Sequence, residues 1–131
     1  MPPKLPQVLV ACAIADAKTP RFAKEFAAAQ AICAERKLIA VDAASLDWDQ
    51  IRAATGSWDA GYVAVARDFA ACIIVEHADT GIARGTFSLG YEFQRAEKPL
   101  GIIRNGVLSK CTLEVDDPRD WKMKYGRAVL K

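Results

Sequence analysis

The sequence lacks most of the short motifs that identify an enzyme class. No Gly-x-Gly-x-x-Gly follows the first strand-like run, which excludes a dinucleotide fingerprint, and the chain has neither a P-loop nor a Gly-x-Ser-x-Gly elbow. It contains one histidine, and its four cysteines fit neither a zinc-ligand spacing nor a Cys-x-x-Cys redox motif. We therefore expect no metal and no cofactor, and we expect reduced, structural cysteines in a cytoplasmic protein.

Long apolar runs and one-sided charge are also missing. No apolar run approaches the roughly 18 residues of a membrane span, and Met-Pro-Pro-Lys-Leu-Pro at the N-terminus lacks the features of a signal peptide. The 18 basic residues are scattered among 16 acidic ones. Membrane and nucleic-acid partners are therefore not expected. Hydrophobic residues form 52% of the chain, which predicts one domain over residues 1–131 with a loose arm at residues 1–6.

Strand-like and helix-like segments alternate along the chain. Apolar runs predict strands at 7–14, 38–41, 72–76, 100–104 and 112–115. Cap residues and apolar spacing predict helices that begin near Pro20, Asp47, Ser57, Thr86 and Asp117. Because right-handed crossovers place helices on both faces of a parallel sheet, the sequence predicts an α/β domain. The expected form is a three-layer Rossmann-like (flavodoxin-like) fold with a parallel sheet of about five strands.

The aromatic residues and turns add detail to this prediction. Asn105-Gly106 is a turn signal, and the last helix should carry Trp121, Tyr125 and Ala128 on one face. Trp58 and Trp121 lie on apolar helical stripes and are expected in the core. Trp48 lies between two aspartates and is expected to be exposed, as at an interaction surface.

Ligands of such sheets bind beyond the carboxyl ends of the strands, which selects the segments after Ile14 and after Glu76. The second segment combines His77 and Asp79 with hydroxyls, glycines and a helix start, where free N–H groups favour an anion. The same residues also fit structural roles: a turn around Asp79, a helix cap at Thr86 or Ser88, and a solvated helix face.

The stretch from Gly85 to Ile103 resembles the nucleoside 2-deoxyribosyltransferase family, which includes the 2′-deoxynucleoside 5′-phosphate N-hydrolases. The resemblance is most specific at Gly90-Tyr91-Glu92-Phe93-Gln94-Arg95-Ala96, where an aromatic–glutamate pair opens a helix that ends at Lys98-Pro99. It implies cleavage or transfer at the N-glycosidic bond of a 2′-deoxynucleoside or nucleotide. Glu92 would be the nucleophile, preceded by Tyr91, and would stabilise an oxocarbenium-like transition state.

The resemblance also implies substrate-binding roles. These fall on Thr86 and Ser88, and on Cys12, Ala13 and Ile14 after the first strand. His77 and Asp79, at the mouth of the third strand, would orient a ribose hydroxyl or carry a proton. The family often completes its pocket with a second subunit, so a homodimer or larger assembly is expected.

Two alignments of this region stay open. Alignment on Tyr91-Glu92 provides the nucleophile, whereas alignment on Gly85-Thr86 and Leu89-Gly90 places Ser88 at that position. The alternative function is therefore a non-catalytic nucleotide-binding or regulatory domain on the same fold. An interaction module that uses the fold only as a scaffold is a third hypothesis.

Overall fold

Six strands and four α-helices follow one another over the part of the chain that the structure describes. The computed structural model describes residues 5–13, 16–76, 82–114 and 127–131. The strands are β1 (Gln7–Ala11), β2 (Ile39–Asp42), β3 (Ala71–Val75), β4 (Leu100–Arg104), β5 (Val107–Glu114) and β6 (Arg127–Leu130). The helices are α1 (Pro20–Glu35), α2 (Trp48–Thr55), α3 (Trp58–Asp68) and α4 (Arg84–Arg95), and a 3₁₀ turn, Ala43–Ser45, joins β2 to α2.

The first three helices begin where the sequence offers a cap. Thr19, Asp47 and Ser57 each accept a hydrogen bond from a backbone N–H in the following turn, at 3.2, 3.1 and 3.0 Å. Each bond satisfies a donor that has no partner inside its helix. Gly56 ends α2 with a φ of 94°, a left-handed conformation that costs glycine little. The predicted starts of these helices are confirmed.

The strands form one sheet in the order β2-β1-β3-β4-β5-β6. The pairs β1–β2, β1–β3 and β3–β4 are parallel, as the alternation of strands and helices predicts. The α/β class and the parallel part of the sheet are therefore confirmed.

The prediction of a wholly parallel sheet of five strands is wrong. β5 pairs antiparallel with β4, and β6 pairs antiparallel with β5. Asn105 and Gly106, with φ values of 50° and 79°, form a two-residue hairpin whose left-handed backbone matches the twist of its strands. The fifth strand accordingly begins at Val107 rather than at Thr112.

The predicted last helix is wrong at its C-terminal end. Ala128 lies in β6, opposite Leu113 of β5, where the ladder rather than a helix satisfies the backbone. The rest of that predicted helix, with Trp121 and Tyr125, lies outside the described residues.

Alternate residues of the strands supply an apolar core on each face of the sheet. On one face, Ile74 packs in a cluster with Phe93 of α4 and residues of α3. On the other face, Val10 packs with Phe22 of α1. The period of two along each strand produces both cores, so the sheet has helices on both sides.

Two further properties of the described residues are the state of the cysteines and the character of the helices. All four cysteines are free thiols; Cys12 is half-buried and the other three are buried. No helix in the described ranges combines the length and the apolar character that crossing a membrane requires.

Candidate functional site

A cavity opens beyond the carboxyl end of β1, between the starts of α2 and α3 on one side and the start of α4 on the other. It lies next to the point where the path of the chain across the sheet reverses. The connection from β1 to β2 runs through α1 on one face, and the connection from β2 to β3 runs through α3 on the other. A crevice forms at such a point because the two connections diverge. The cavity has a volume of about 380 Å³, within the usual range for small-molecule sites. We call it the carboxyl-end cavity.

Three aromatic side chains line one side of the carboxyl-end cavity. The Trp48 indole N–H donates to the Ala43 carbonyl at 2.8 Å, which fixes the orientation of the ring. The Tyr62 ring lies 5.7 Å from the Trp48 ring, edge to face, and 6.3 Å from the Trp58 ring, stacked. The Arg52 guanidinium lies 5.3 Å from the centre of the Trp58 ring. Such a wall offers contact area to a planar ligand at little entropic cost.

The tryptophans reverse the exposure that the sequence predicts. Trp58, expected in the core, is 43% exposed at the rim of the cavity. Trp48, expected to be exposed, is partly buried and packs against the main core. Both follow directly after a cap residue, Asp47 or Ser57, so each occupies the first position of its helix. The helix that follows a parallel strand starts at the carboxyl edge of the sheet, and this signal could have placed Trp48, at the start of α2 after β2, beside the cavity.

The start of α4 lines the opposite side of the carboxyl-end cavity. Its N-cap residue is Ala83, which has no side-chain acceptor, and Thr86 and Ser88 lie inside the helix, so the predicted cap at Thr86 or Ser88 is wrong. Thr86 is 6% exposed, and its hydroxyl makes no hydrogen bond to any residue that the structure describes. The cavity therefore meets the first turn of α4, whose backbone N–H groups are capped by no side chain among the described residues, and the Thr86 residue with its hydroxyl.

The Cys12 thiol lines the cavity at the end of β1. Its pKa is raised from 9.0 to about 12, chiefly by burial and also by the carboxylates of Asp42 and Asp16, whereas Arg21 opposes the rise. The thiol lies 3.3 Å from the Ala13 carbonyl and donates to it. Because a thiolate is the nucleophilic form, Cys12 serves this cavity as a neutral wall residue.

The structure brings some of the predicted binding residues together. Those that line the carboxyl-end cavity are Cys12, Ala13 and Thr86. Three others, Ile14, His77 and Asp79, lie outside the described residues.

The remaining predicted residues line a different depression. Ser88, Tyr91 and Glu92 face α3 in a depression of about 240 Å³, which we call the α3–α4 depression. The Glu92 carboxylate forms an ion pair with Arg95 at 3.2 Å, and its side chain is 19% exposed. The Tyr91 ring stacks on Phe87 at 5.9 Å.

The separation of Glu92 from Thr86 follows from helix geometry. Six residues at 1.5 Å per residue place Glu92 about 9 Å further along α4. At 100° per residue, Glu92 also lies about 120° around the helix from Thr86. Ser88, two residues after Thr86, likewise faces away from it. Among the described residues, no carboxylate lines the carboxyl-end cavity.

The arginines near the strand ends differ in their availability. Arg104 forms a two-point pair with the Glu76 carboxylate, at 3.0 and 2.7 Å, and this bond raises the pKa of Arg104. Arg21 donates to the Glu76 backbone carbonyl at 2.7 Å. Arg84 lies in the first turn of α4, close enough to Tyr62 to oppose the rise in its pKa that burial and Asp59 cause. Arg84 is therefore the better placed of these cations for a ligand of the cavity.

The chemistry that these residues support is binding through aromatic contact, backbone N–H groups and a hydroxyl. Within the described ranges, no group of three or more His, Cys, Asp or Glu side chains could hold a metal ion. Comparison of the chain with protein-family models, with curated proteins and with solved structures gave no match.

Proposed function

We propose that this chain is a nucleotide- or nucleoside-binding domain that recognises its ligand without cleaving it. The observation that carries this proposal is the composition of the carboxyl-end cavity. It combines an aromatic wall with a helix start that no described side chain caps, and Glu92 is not among its lining residues. We regard the four parallel strands as a Rossmann-like unit extended by a hairpin, since ligands of such units occupy this crevice.

The aromatic wall supports recognition of a base. Trp48 is held by its hydrogen bond to Ala43, and Tyr62 packs against both tryptophans, so the wall is rigid before a ligand arrives. A nucleobase has a flat face that stacks on such rings, and each stacked base contributes about 1–3 kcal/mol in systems measured by alanine substitution.

The start of α4 supports recognition of the sugar or phosphate. Its first N–H groups carry the positive end of the helix dipole, and the Thr86 hydroxyl can donate or accept. Arg84 adds a positive charge in the same turn. A 5′-phosphate would therefore find two kinds of donor here and a cation nearby.

The position of Glu92 is the reason to favour binding over turnover. A nucleophile must reach the anomeric carbon of the sugar, which a base on the aromatic wall would hold inside the cavity. Glu92 lines the α3–α4 depression instead and is paired with Arg95. N-glycosidase activity through Glu92 is the competing proposal. Both proposals include a homodimer in which a second subunit completes the cavity.

Calorimetric titration with 2′-deoxynucleosides and their 5′-monophosphates tests the proposal. We expect 1:1 binding per chain, and we expect Trp58→Ala to weaken it about fivefold to tenfold through loss of stacking. Thr86→Val keeps the side-chain shape but removes the hydroxyl, and should weaken binding about tenfold. Ser88→Ala is the matched control, because it removes a buried hydroxyl from the other side of α4. Sedimentation of the same samples measures the oligomeric state.

Chromatography of the titrated samples separates the two functions. We expect no free base from the wild type or from Glu92→Ala. Base released by the wild type and lost in Glu92→Ala would establish the N-glycosidase instead. An absence of binding to every member of the panel would refute both, and sensitivity to Ser88→Ala but not to Thr86→Val would move the site to the α3–α4 depression.

A further inference from the structure

A second cavity lies on the opposite face of the sheet and at its opposite end. It has a volume of about 370 Å³ and lies between the last turns of α1 and the amino ends of β1, β3 and β4. Its apolar walls include Val8, Ile32, Leu38 and Leu108. We call it the amino-end groove. It shares no lining residue with the carboxyl-end cavity and does not depend on the proposed function.

Small residues on adjacent strands keep the floor of the groove low. Ala71 of β3 and Gly101 of β4 both line it. A Cβ at Gly101 would lie 2.9 Å from the Leu108 Cδ1 atom, so a larger residue would crowd the floor. Ile73, two residues after Ala71 on β3 and directly opposite Gly101, is 4% exposed. The apolar surface is therefore recessed rather than flat.

Positive charge borders this recess. Arg36 at the end of α1 and Lys110 of β5 both line the groove and are exposed. The Lys131 backbone N–H donates to the Lys110 carbonyl at 3.1 Å, which brings a third basic residue beside them. The Arg36 charge also reaches the α1 wall of the groove, since it opposes the rise that burial causes in the pKa of Cys33. No acidic residue among the described ones lines the groove.

We propose that the amino-end groove binds a small amphiphilic carboxylate, with its hydrocarbon chain on the apolar floor and its carboxylate between Arg36 and Lys110. A hydrocarbon chain in the recess would remove apolar surface from contact with water, which favours binding. The two cations lack an acidic partner in the lining and attract a carboxylate by charge. A neutral ligand of the same length would use only the first contribution.

Calorimetric titration of the full chain with octanoate and with 1-octanol tests the proposal. We expect 1:1 binding of octanoate, and binding of 1-octanol that is at least about fivefold weaker. Lys110→Gln should weaken octanoate about twofold to fivefold, and Arg36→Gln with Lys110→Gln about tenfold, without a change for 1-octanol. Lys24→Gln, an exposed lysine of α1 outside the groove, is the matched control. Ala71→Phe should fill the floor and abolish binding of both ligands.

Each of the other results overturns the proposal. The proposal of an anionic ligand would be rejected by any of three results: no octanoate binding, equal binding of 1-octanol, or wild-type affinity in the double variant. A dimer that Ala71→Phe dissociates would assign the groove to a second copy. Circular dichroism shows whether Ala71→Phe folds; the exposed charge variants decide the outcome if it does not.

Discussion

Replacement of Lys98 tests how the C-terminal end of α3 is held. The Lys98 ammonium donates to the backbone carbonyls of Ala66, Arg67 and Phe69, at 2.6, 3.0 and 2.8 Å. These carbonyls lie at the end of the helix, where no further turn supplies an N–H. Phe69 follows in extended conformation, so no left-handed cap replaces the lysine. A positive charge at this end also complements the helix dipole.

The expected cost of Lys98→Met is about 2–3 kcal/mol in the free energy of unfolding. A hydrogen bond to a charged group contributes about 1.5–3 kcal/mol, but the three share one ammonium, and water replaces the more exposed of them after substitution. Methionine keeps the apolar length of the side chain, which restricts the change to the charge and the bonds. For a domain of this size the melting temperature should fall by about 6–15 °C.

Urea unfolding followed by far-UV circular dichroism measures this cost. Lys24→Met is the matched control, because Lys24 is exposed on α1, and we expect its effect to stay within about 0.5 kcal/mol. Lys98→Arg should recover part of the loss, since a guanidinium can still donate to two of the carbonyls. If Lys98→Met were as stable as the control, the three bonds would contribute nothing and the reasoning would be refuted.

Four further predictions concern the packing of α4 and the thiol of the cavity. A Cβ at Gly90 would lie 2.8 Å from the Ile74 Cδ1 atom, so Gly90→Ala should lower the free energy of unfolding by about 1–2 kcal/mol. Ile74→Val removes that Cδ1 atom, so urea unfolding should show the double variant about 1 kcal/mol more stable than the sum of the two single effects. The Gln94 amide donates to the Leu113 carbonyl at 3.2 Å and accepts from the Leu113 N–H at 2.6 Å, so Gln94→Ala should cost about 1–3 kcal/mol; equal stability to wild type would contradict this. Because the pKa of Cys12 is raised from 9.0 to about 12, the folded state resists ionisation, and this thiol should lower stability only as the pH rises above about 9; Cys12→Ala should reduce that alkaline loss. Near pH 8, iodoacetamide should label Cys12 in the folded protein about a thousandfold more slowly than in the unfolded chain, and mass spectrometry measures both labelling rates. Equal rates would exclude the raised pKa.

The sequence by itself determined those helix starts, strands and turns that depend on residues close to one another along the chain. Thr19 and Ser57 cap helices through bonds that close within one turn, so the sequence places these starts correctly. The apolar runs around Leu9 and Ile74 predict buried parallel strands, because a strand covered on both faces needs no polar alternation. Asn105-Gly106 carried the hairpin signal as well, although its consequence for the direction of the fifth strand was missed.

Tertiary packing decided which side chains share a cavity. Gly90 faces the sheet because only a residue without a side chain fits so close to Ile74 and Leu113. That contact sets the rotation of α4, which turns Thr86 towards the aromatic wall and Glu92 towards α3. A shift of one residue in the contact would rotate the helix by about 100° and turn Thr86 away from the aromatic wall. The sequence by itself determined that both residues lie on one helix beyond a parallel strand; the packing of that helix on the sheet determined which of them faces the cavity.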